Sequence, residues 1–418
     1  MPATVIEHIV QQHAEEAAFL WLLRDNAVRA PHYNLKDLCK LDDRVEAHLD
    51  GLRIADDAGW ELCREALAAG ELSEVFAASV LAFESGLHDR ILAVMQSVTD
   101  NPHLTRGLIA ALGWLDWSIV QRYARKFANV EVPAIRHIGI AAYATHRQDP
   151  ANSLQAALQS DAPSLWSRAL KAAGELGRRD LLPLIAEGFS ATEEEVHFHA
   201  SWSTALLGSQ SALPHLQNTA TAKGRYSESA CAMAARLMAL PESQAWLSEM
   251  GRNEDTRRLA AVGMAAAGDP ATIPWLISIM EIPALARSAG EAFSMITGVD
   301  LAYADLDGEC PEGFEAGPTE NPEDEEVAMG PDEDLPWPAP QLVADWWSRN
   351  QAGFRSGSRY LAGKPITADN LRQVLRTGLQ RQRAAAVIEL ALLNPGQPLF
   401  EVRAPGYRQQ KLLLSGRS

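Results

Sequence analysis

The cluster Glu193-Glu194-Glu195-Val196-His197-Phe198-His199 is the one place in the sequence where a metal site suggests itself. Its spacing argues against one. Side chains two residues apart on a helix point about 200° away from each other, so His197 and His199 do not converge on a single ion. The run reads instead as a helix start with surface histidines, Thr192 and Glu195 forming a capping box. A second candidate is acidic: Glu323–Glu326 with Asp332–Asp334 offers carboxylates to calcium. It lacks the alternating ligands and central glycine of an EF-hand loop, and reads as a solvated strap or a lure for a basic partner. One such partner lies in the chain itself, in the basic C-terminal region. The third candidate is that region: adjacent Trp346 and Trp347, then Arg372, Arg376, Arg381, Arg383, Arg403 and Arg408. Trp and Arg are favoured anchors of protein interfaces, so these eight residues are the candidate protein-binding surface. The competing reading is a solvated basic face with one core tryptophan.

No GxSxG, HExxH, GxGxxG or Walker sequence occurs. Cys39, Cys63, Cys231 and Cys310 are far apart and show no CxxC spacing, as expected of isolated reduced thiols. The expectation is therefore no catalytic residue, no metal, no cofactor and no enzymatic activity.

Charge narrows the partners. The 418 residues carry a net charge of −17, and residues 1–299 hold 25 Lys/Arg against 36 Asp/Glu. A nucleic-acid binder needs a basic face to displace counterions from phosphates, so nucleic acid is not the expected partner. The charge is unevenly spread: Asp300 to Asp334 holds fourteen acids and no Lys or Arg, whereas Arg349 onward holds twelve Lys/Arg against three acids. The longest uncharged run, Val196–Ala222, is studded with Ser, Thr, Gln, His and Pro, which argues against a membrane span. The start MPATVIEHIVQQHAEEAAFL has no basic n-region and is interrupted by glutamates. A cytoplasmic location is expected.

The elements that must position these residues are helices. Ala and Leu dominate the apolar residues and β-branched runs are scarce. Three segments align without gaps: ELGRRDLLPLIAEGF, LLGSQSALPHLQNTA and AAGDPATIPWLISIM. Each places a proline six residues after a glycine: Gly177 and Pro183, Gly208 and Pro214, Gly268 and Pro274. The glycines are 31 and then 60 residues apart, one and two periods of about 30. Ser229–Met250 fills the missing unit, with its turn at Pro241. Gly113 lies two periods of 32 before Gly177, with Asp149-Pro150 marking a turn between them. A left-handed glycine ends one helix, and a proline in the next first turn costs little because those N–H groups have no intrahelical partner. A single pair of such helices cannot bury its apolar face alone, so the units must stack. The fold class expected is all-α, an α-α superhelix or solenoid.

These units, with their small residues and [LI]-P-x-[LI] pattern, resemble HEAT-like repeats of bacterial proteins of the phycobilisome-lyase-like type. The whole chain resembles a family of uncharacterised bacterial HEAT-repeat proteins encoded beside type VI secretion genes. The residues that carry this are Glu15–Arg53 near the start and RYLAGKPIT, GLQRQRAAAVIELAL and FEVRAP near the end. The resemblance implies a protein partner, such as a secreted effector or a secretion component, and a role as effector chaperone, adaptor or immunity-type binder. The competing class is an enzyme on a HEAT scaffold, an alkylpurine DNA glycosylase or a bilin lyase. The organisation expected is an N-terminal helical cap over 1–40 and a HEAT-like solenoid over 41–299. An acidic Pro/Gly-rich loop follows over 300–340, then a basic C-terminal helical module over 341–418.

Overall fold

The computed structural model describes residues 6–314, 330 and 332–415. It is all-α and solenoid-like: short helices follow one another in antiparallel pairs, and the described residues hold a single two-stranded sheet. The chain divides into two compact units, residues 1–185 with 396–418, and residues 186–395.

The first unit opens with two long helices, α1 (Glu7–Ala27) and α2 (Leu35–Ile54). Asn34 caps α2 by accepting from the amides of Lys36 and Asp37. Seven helices follow, α3 (Asp57–Ala66), α4 (Leu72–Ser85), α5 (His88–Asp100), α6 (Thr105–Trp114), α7 (Trp117–Ala128), α8 (Pro133–Thr145) and α9 (Asn152–Leu158). Then come α10 (Pro163–Glu175) and α11 (Leu182–Ala186), at whose end the unit boundary falls. Helices α4, α6, α8 and α10 pack each on the next as one row. Their apolar faces bury a core in which Trp21 stacks on Phe76 at 4.8 Å and Trp114 meets Phe76 edge-on at 5.6 Å. Burying one such ring contributes about 2–3 kcal/mol.

The second unit repeats the plan with α12 (Glu194–Leu206), α13 (Leu213–Thr221), α14 (Ser227–Leu237), α15 (Leu240–Arg252), α16 (Arg257–Ala267), α17 (Ile273–Ile279) and α18 (Pro283–Thr297). Here α12, α14, α16 and α18 form the row. Next are α19 (Pro340–Asn350), a hairpin of β1 (Tyr360–Leu361) and β2 (Lys364–Pro365), and the pair α20 (Ala368–Thr377) and α21 (Gln380–Leu393). The last helix, α22 (Gly406–Leu414), belongs to the first unit and packs on α2.

The glycine–proline register is visible in the backbone. Gly177, Gly208 and Gly268 all have positive φ, and Pro183, Pro214 and Pro274 each occupy the second position of a helix. Asp269 caps its turn through the Ala271 amide, and Thr367 caps α20 through that of Asn370. Two of these glycines carry a second constraint. A Cβ on Gly268 would lie 2.4 Å from the Tyr360 carbonyl oxygen, and one on Gly177 would lie 2.5 Å from that of Gly396. In both units the later part of the chain runs back across the helix C-termini, so close that only glycine leaves room.

Several expectations change. Gly113 is buried inside α6, where a Cβ would meet the Thr145 methyl at 2.6 Å, so it serves close packing and not a helix end. The capping box at Thr192 is not formed: α12 starts at Glu194, and its N-cap Glu193 makes no side-chain cap bond. The expected 341–418 module is divided, with residues up to Pro395 in the second unit and the remainder in the first. Of the acidic stretch, residues 323–326 lie outside the described residues. Asp332 and Glu333 are held by Arg258 and Arg287 of the repeat helices, and not by the C-terminal arginines.

Candidate functional site

The second unit carries a groove of about 230 Å³ along the row α14, α16 and α18. Each helix gives it one face, with residues three or four apart: Glu228, Ala232 and Arg236, then Arg258, Val262 and Ala266, then Ser288, Ala292 and Met295. Small residues at Ala232, Ala265, Ala266 and Ala292 form the floor and make the surface concave. Asp332 and Leu335 close one rim and Arg381 another.

The walls are charged and paired. Arg258 donates to Glu228 at 2.6 Å and grips Asp332 with both terminal nitrogens, one at 2.9 Å. Arg236 donates at 3.0 Å to Glu389, a carboxylate only 3% exposed that also accepts from Arg359 at 2.5 Å. Burial lowers the Arg236 pKa, and repulsion from Arg359 adds to this while Glu389 opposes it. Glu291 stands apart. Its carboxyl faces Arg381 at 3.9 Å, beyond hydrogen-bond length, and it accepts no hydrogen bond among the described residues. Burial raises its pKa, Arg381 opposes the rise and Asp332 adds to it. The carboxyl lies in the cleft as an acceptor for an incoming donor.

A second cavity, of about 420 Å³, lies beside α15, α16 and α17 among Gln244, Ser248, Met264 and Trp275. It is lined by amide, hydroxyl and apolar groups with Arg252 as its one charge, so its chemistry is that of a surface cleft.

The eight sequence candidates fare unequally. Arg381 lines the groove. Trp346 and Trp347 are half-buried, the first edge-on to Phe293 at 5.6 Å and the second tilted against Phe354 at 5.4 Å. Arg372 pairs with Asp369 at the surface and Arg376 is exposed. Arg383 cannot present itself to a partner. It is fully buried, donating from Nε to the Leu375 carbonyl at 2.8 Å and from a terminal nitrogen to Gln380. Arg403 and Arg408 belong to the first unit. Arg408 donates to the carbonyls of Gly113, Trp114 and Leu115 at 2.9–3.1 Å, capping the end of α6.

The histidines are corrected as well. His199 is buried against Tyr226, not on the surface. His197 is half-buried, 3.3 Å from His215 and 3.2 Å from Thr219. Burial lowers the pKa of both His197 and His215, and the charge of His215 adds to the shift of His197. Among the described residues no group of three His, Cys, Asp or Glu is placed to hold a metal ion.

Sequence reading missed the groove, but a signal for it exists. Glu228, Arg258 and Ser288 are 30 residues apart in succession, as are Ala232, Val262 and Ala292. Stacking units of that period aligns these positions on one face.

The fold and groove define a class: a helical-repeat protein with a charged cleft on one helix row. No family model, curated protein or solved structure matches the chain. No helix among the described residues is long and apolar enough to cross a membrane.

Proposed function

We propose that this chain is a non-catalytic protein-binding scaffold, and that the groove on α14, α16 and α18 is where it receives a segment of its partner. The observation that carries this reading is the composition of the groove. Its small-residue floor has charges of both signs on its walls, and Glu291, a carboxyl that accepts no hydrogen bond among the described residues, lies within it. Such a cleft fits a short peptide segment bearing a Lys or Arg, whose ammonium or guanidinium would complete the Glu291–Arg381 pair. Repeat scaffolds use the surface of a helix row in this way. The resemblance to proteins encoded beside type VI secretion genes makes a secreted effector or a secretion component the partner to test first.

The test is affinity capture from the native cell with the full chain and with Ala232→Trp, which fills the groove floor. Recovery of a secreted effector or secretion component by the unsubstituted chain, and its loss with Ala232→Trp, supports the reading. Recovery of metabolic enzymes alone, or of the same proteins by both chains, sinks it. A salt-dependent shift of duplex DNA by the purified protein would move the assignment to the DNA glycosylase class.

A further inference from the structure

We propose that the first unit holds a binding site for a compact multivalent phosphoryl anion, built where the returning residues Glu401 and Arg403 meet α1, α6 and α10. The argument begins with Asp25, a carboxylate 7% exposed at the end of α1. Three guanidiniums converge on it: Arg29 at 3.0 Å, Arg403 at 3.5 Å, and Arg106 in closer contact. Among the described residues, this one carboxylate pairs with all three guanidiniums. Arg106 and Arg403 are each about half exposed, and each guanidinium carries five N–H donors.

The surplus continues into α10. Arg147 pairs with Glu401 at 3.0 Å, and Arg168 pairs with Glu175. Lys171, half-buried on α10, has no ion pair and no hydrogen bond among the described residues. The Nε of Arg168 is buried with no hydrogen-bond partner. Unsatisfied buried donors are rare in folded proteins, because each loses its hydration without replacement. One such donor, with the unpaired ammonium of Lys171 on the next turn of the same helix and three arginines sharing Asp25, marks a place suited to an anion.

Electrostatics agrees with the geometry. Burial lowers the Lys171 pKa, and the charges of Arg168 and Arg403 add to this against Glu175 and Glu401. Burial and the charge of Arg403 likewise lower the pKa of Arg29 and of Arg106. Across these groups six cations (Arg29, Arg106, Arg147, Arg168, Lys171, Arg403) face three carboxylates (Asp25, Glu175, Glu401), a surplus of three in a chain whose net charge is −17. The cations come from five segments and gather around Arg403, not along a line. Convergent donors suit a small oxyanion with several charged oxygens, which guanidinium forks match, better than an extended acidic peptide.

The test is calorimetric titration and thermal melting of the full chain with inorganic phosphate, pyrophosphate and tripolyphosphate at constant ionic strength. Saturable one-site binding is expected, stronger for pyrophosphate or tripolyphosphate than for phosphate, with a rise of the melting midpoint by several degrees. Lys171→Met, which breaks no direct salt bridge, should stay folded with a melting midpoint within a few degrees of the parent and bind at least ten-fold more weakly; Arg403→Ala should bind more weakly still. The proposal is overturned by the absence of saturable binding, by equal effects of chloride at matched ionic strength, or by unchanged affinity in folded Lys171→Met. Tighter binding of an oligoglutamate than of tripolyphosphate would overturn the phosphoryl assignment.

Discussion

The two units solve the same problem with different charge balances. Each has a row of helices whose C-terminal ends are covered by a later stretch of chain, and each uses arginines to hold that stretch. In the second unit the acids and bases match: Arg236, Arg258, Arg359 and Arg381 face Glu228, Glu291, Asp332 and Glu389. In the first unit, six cations gather around three carboxylates. A cleft of paired charges in which Glu291 can still accept suits a segment with a cationic donor, whereas a cationic surplus selects an anion. The repeat architecture thus sets where the two surfaces lie, and the polar residues set what each can hold.

The largest break in this comparison should come from Glu389→Ala. It removes the one carboxylate between Arg236 and Arg359, leaving the largely buried Arg236 guanidinium facing the partly buried one of Arg359. A cost of about 3–5 kcal/mol is expected. Hydrogen exchange should rise over α14, α16 and α21 while α4 to α8 keep their protection; uniform loss across both units would show that the pair is not local to the second.

Next in size is Gly268→Ala compared with Gly70→Ala. Both glycines have φ near +70°, but a Cβ on Gly268 would meet the Tyr360 backbone at 2.4 Å, while one on Gly70 would find its nearest atom 3.9 Å away. Denaturant melts should show a cost of about 1 kcal/mol at Gly70, from backbone strain alone, and about 2–4 kcal/mol at Gly268. Equal costs would mean that the returning chain yields freely.

Acid should separate the units. Burial pushes His146 of the first unit down to about 4, despite its hydrogen bond to the Leu112 carbonyl, and the charge of Arg408 adds to the shift. Since its folded pKa lies below the unfolded value of about 6.5, the unfolded state takes up the proton first. Stability from this group is present above pH 6.5 and is lost as pH falls toward 4. Burial would raise Glu175, but Arg168, Arg147 and Lys171 outweigh it and hold the carboxyl at about 2. Its contribution is present above about 4.5 and is lost as pH falls from there toward 2. Glu291 in the second unit has the opposite sign: its raised pKa costs stability once the carboxyl ionises. Hydrogen exchange between pH 7 and 4 should therefore show α8 and α10 loosening before α16 and α18; the reverse order would refute the comparison. The smallest effect is Glu291→Gln, which keeps the shape and removes a poorly compensated charge. A rise of a few degrees in the melting midpoint at pH 7 is expected, and a fall would show that Arg381 already satisfies the carboxylate.

Much of the local plan is legible in the residues. The Gly-x5-Pro register depends on backbone preferences that act over a few residues, and it appears where the sequence places it. Gly113 misleads because a glycine that ends a helix and one that admits a neighbouring helix look alike in one dimension. Arg383 and Arg408 mislead for a related reason: a guanidinium reads as surface charge until a carbonyl or amide oxygen is found waiting for it.

By itself the sequence determined the all-α class, the thirty-residue period and the helix ends at Gly177, Gly208 and Gly268, because periodicity and glycine conformation are properties of short stretches. Only the tertiary structure decided that residues 396–418 fold onto the first unit and that the basic end is divided between the units. It also decided that Glu228, Arg258, Glu291 and Arg381 share one groove. Those outcomes rest on contacts between residues tens to hundreds of positions apart. Such contacts are chosen by shape and by the pairing of buried charge, which no local pattern encodes.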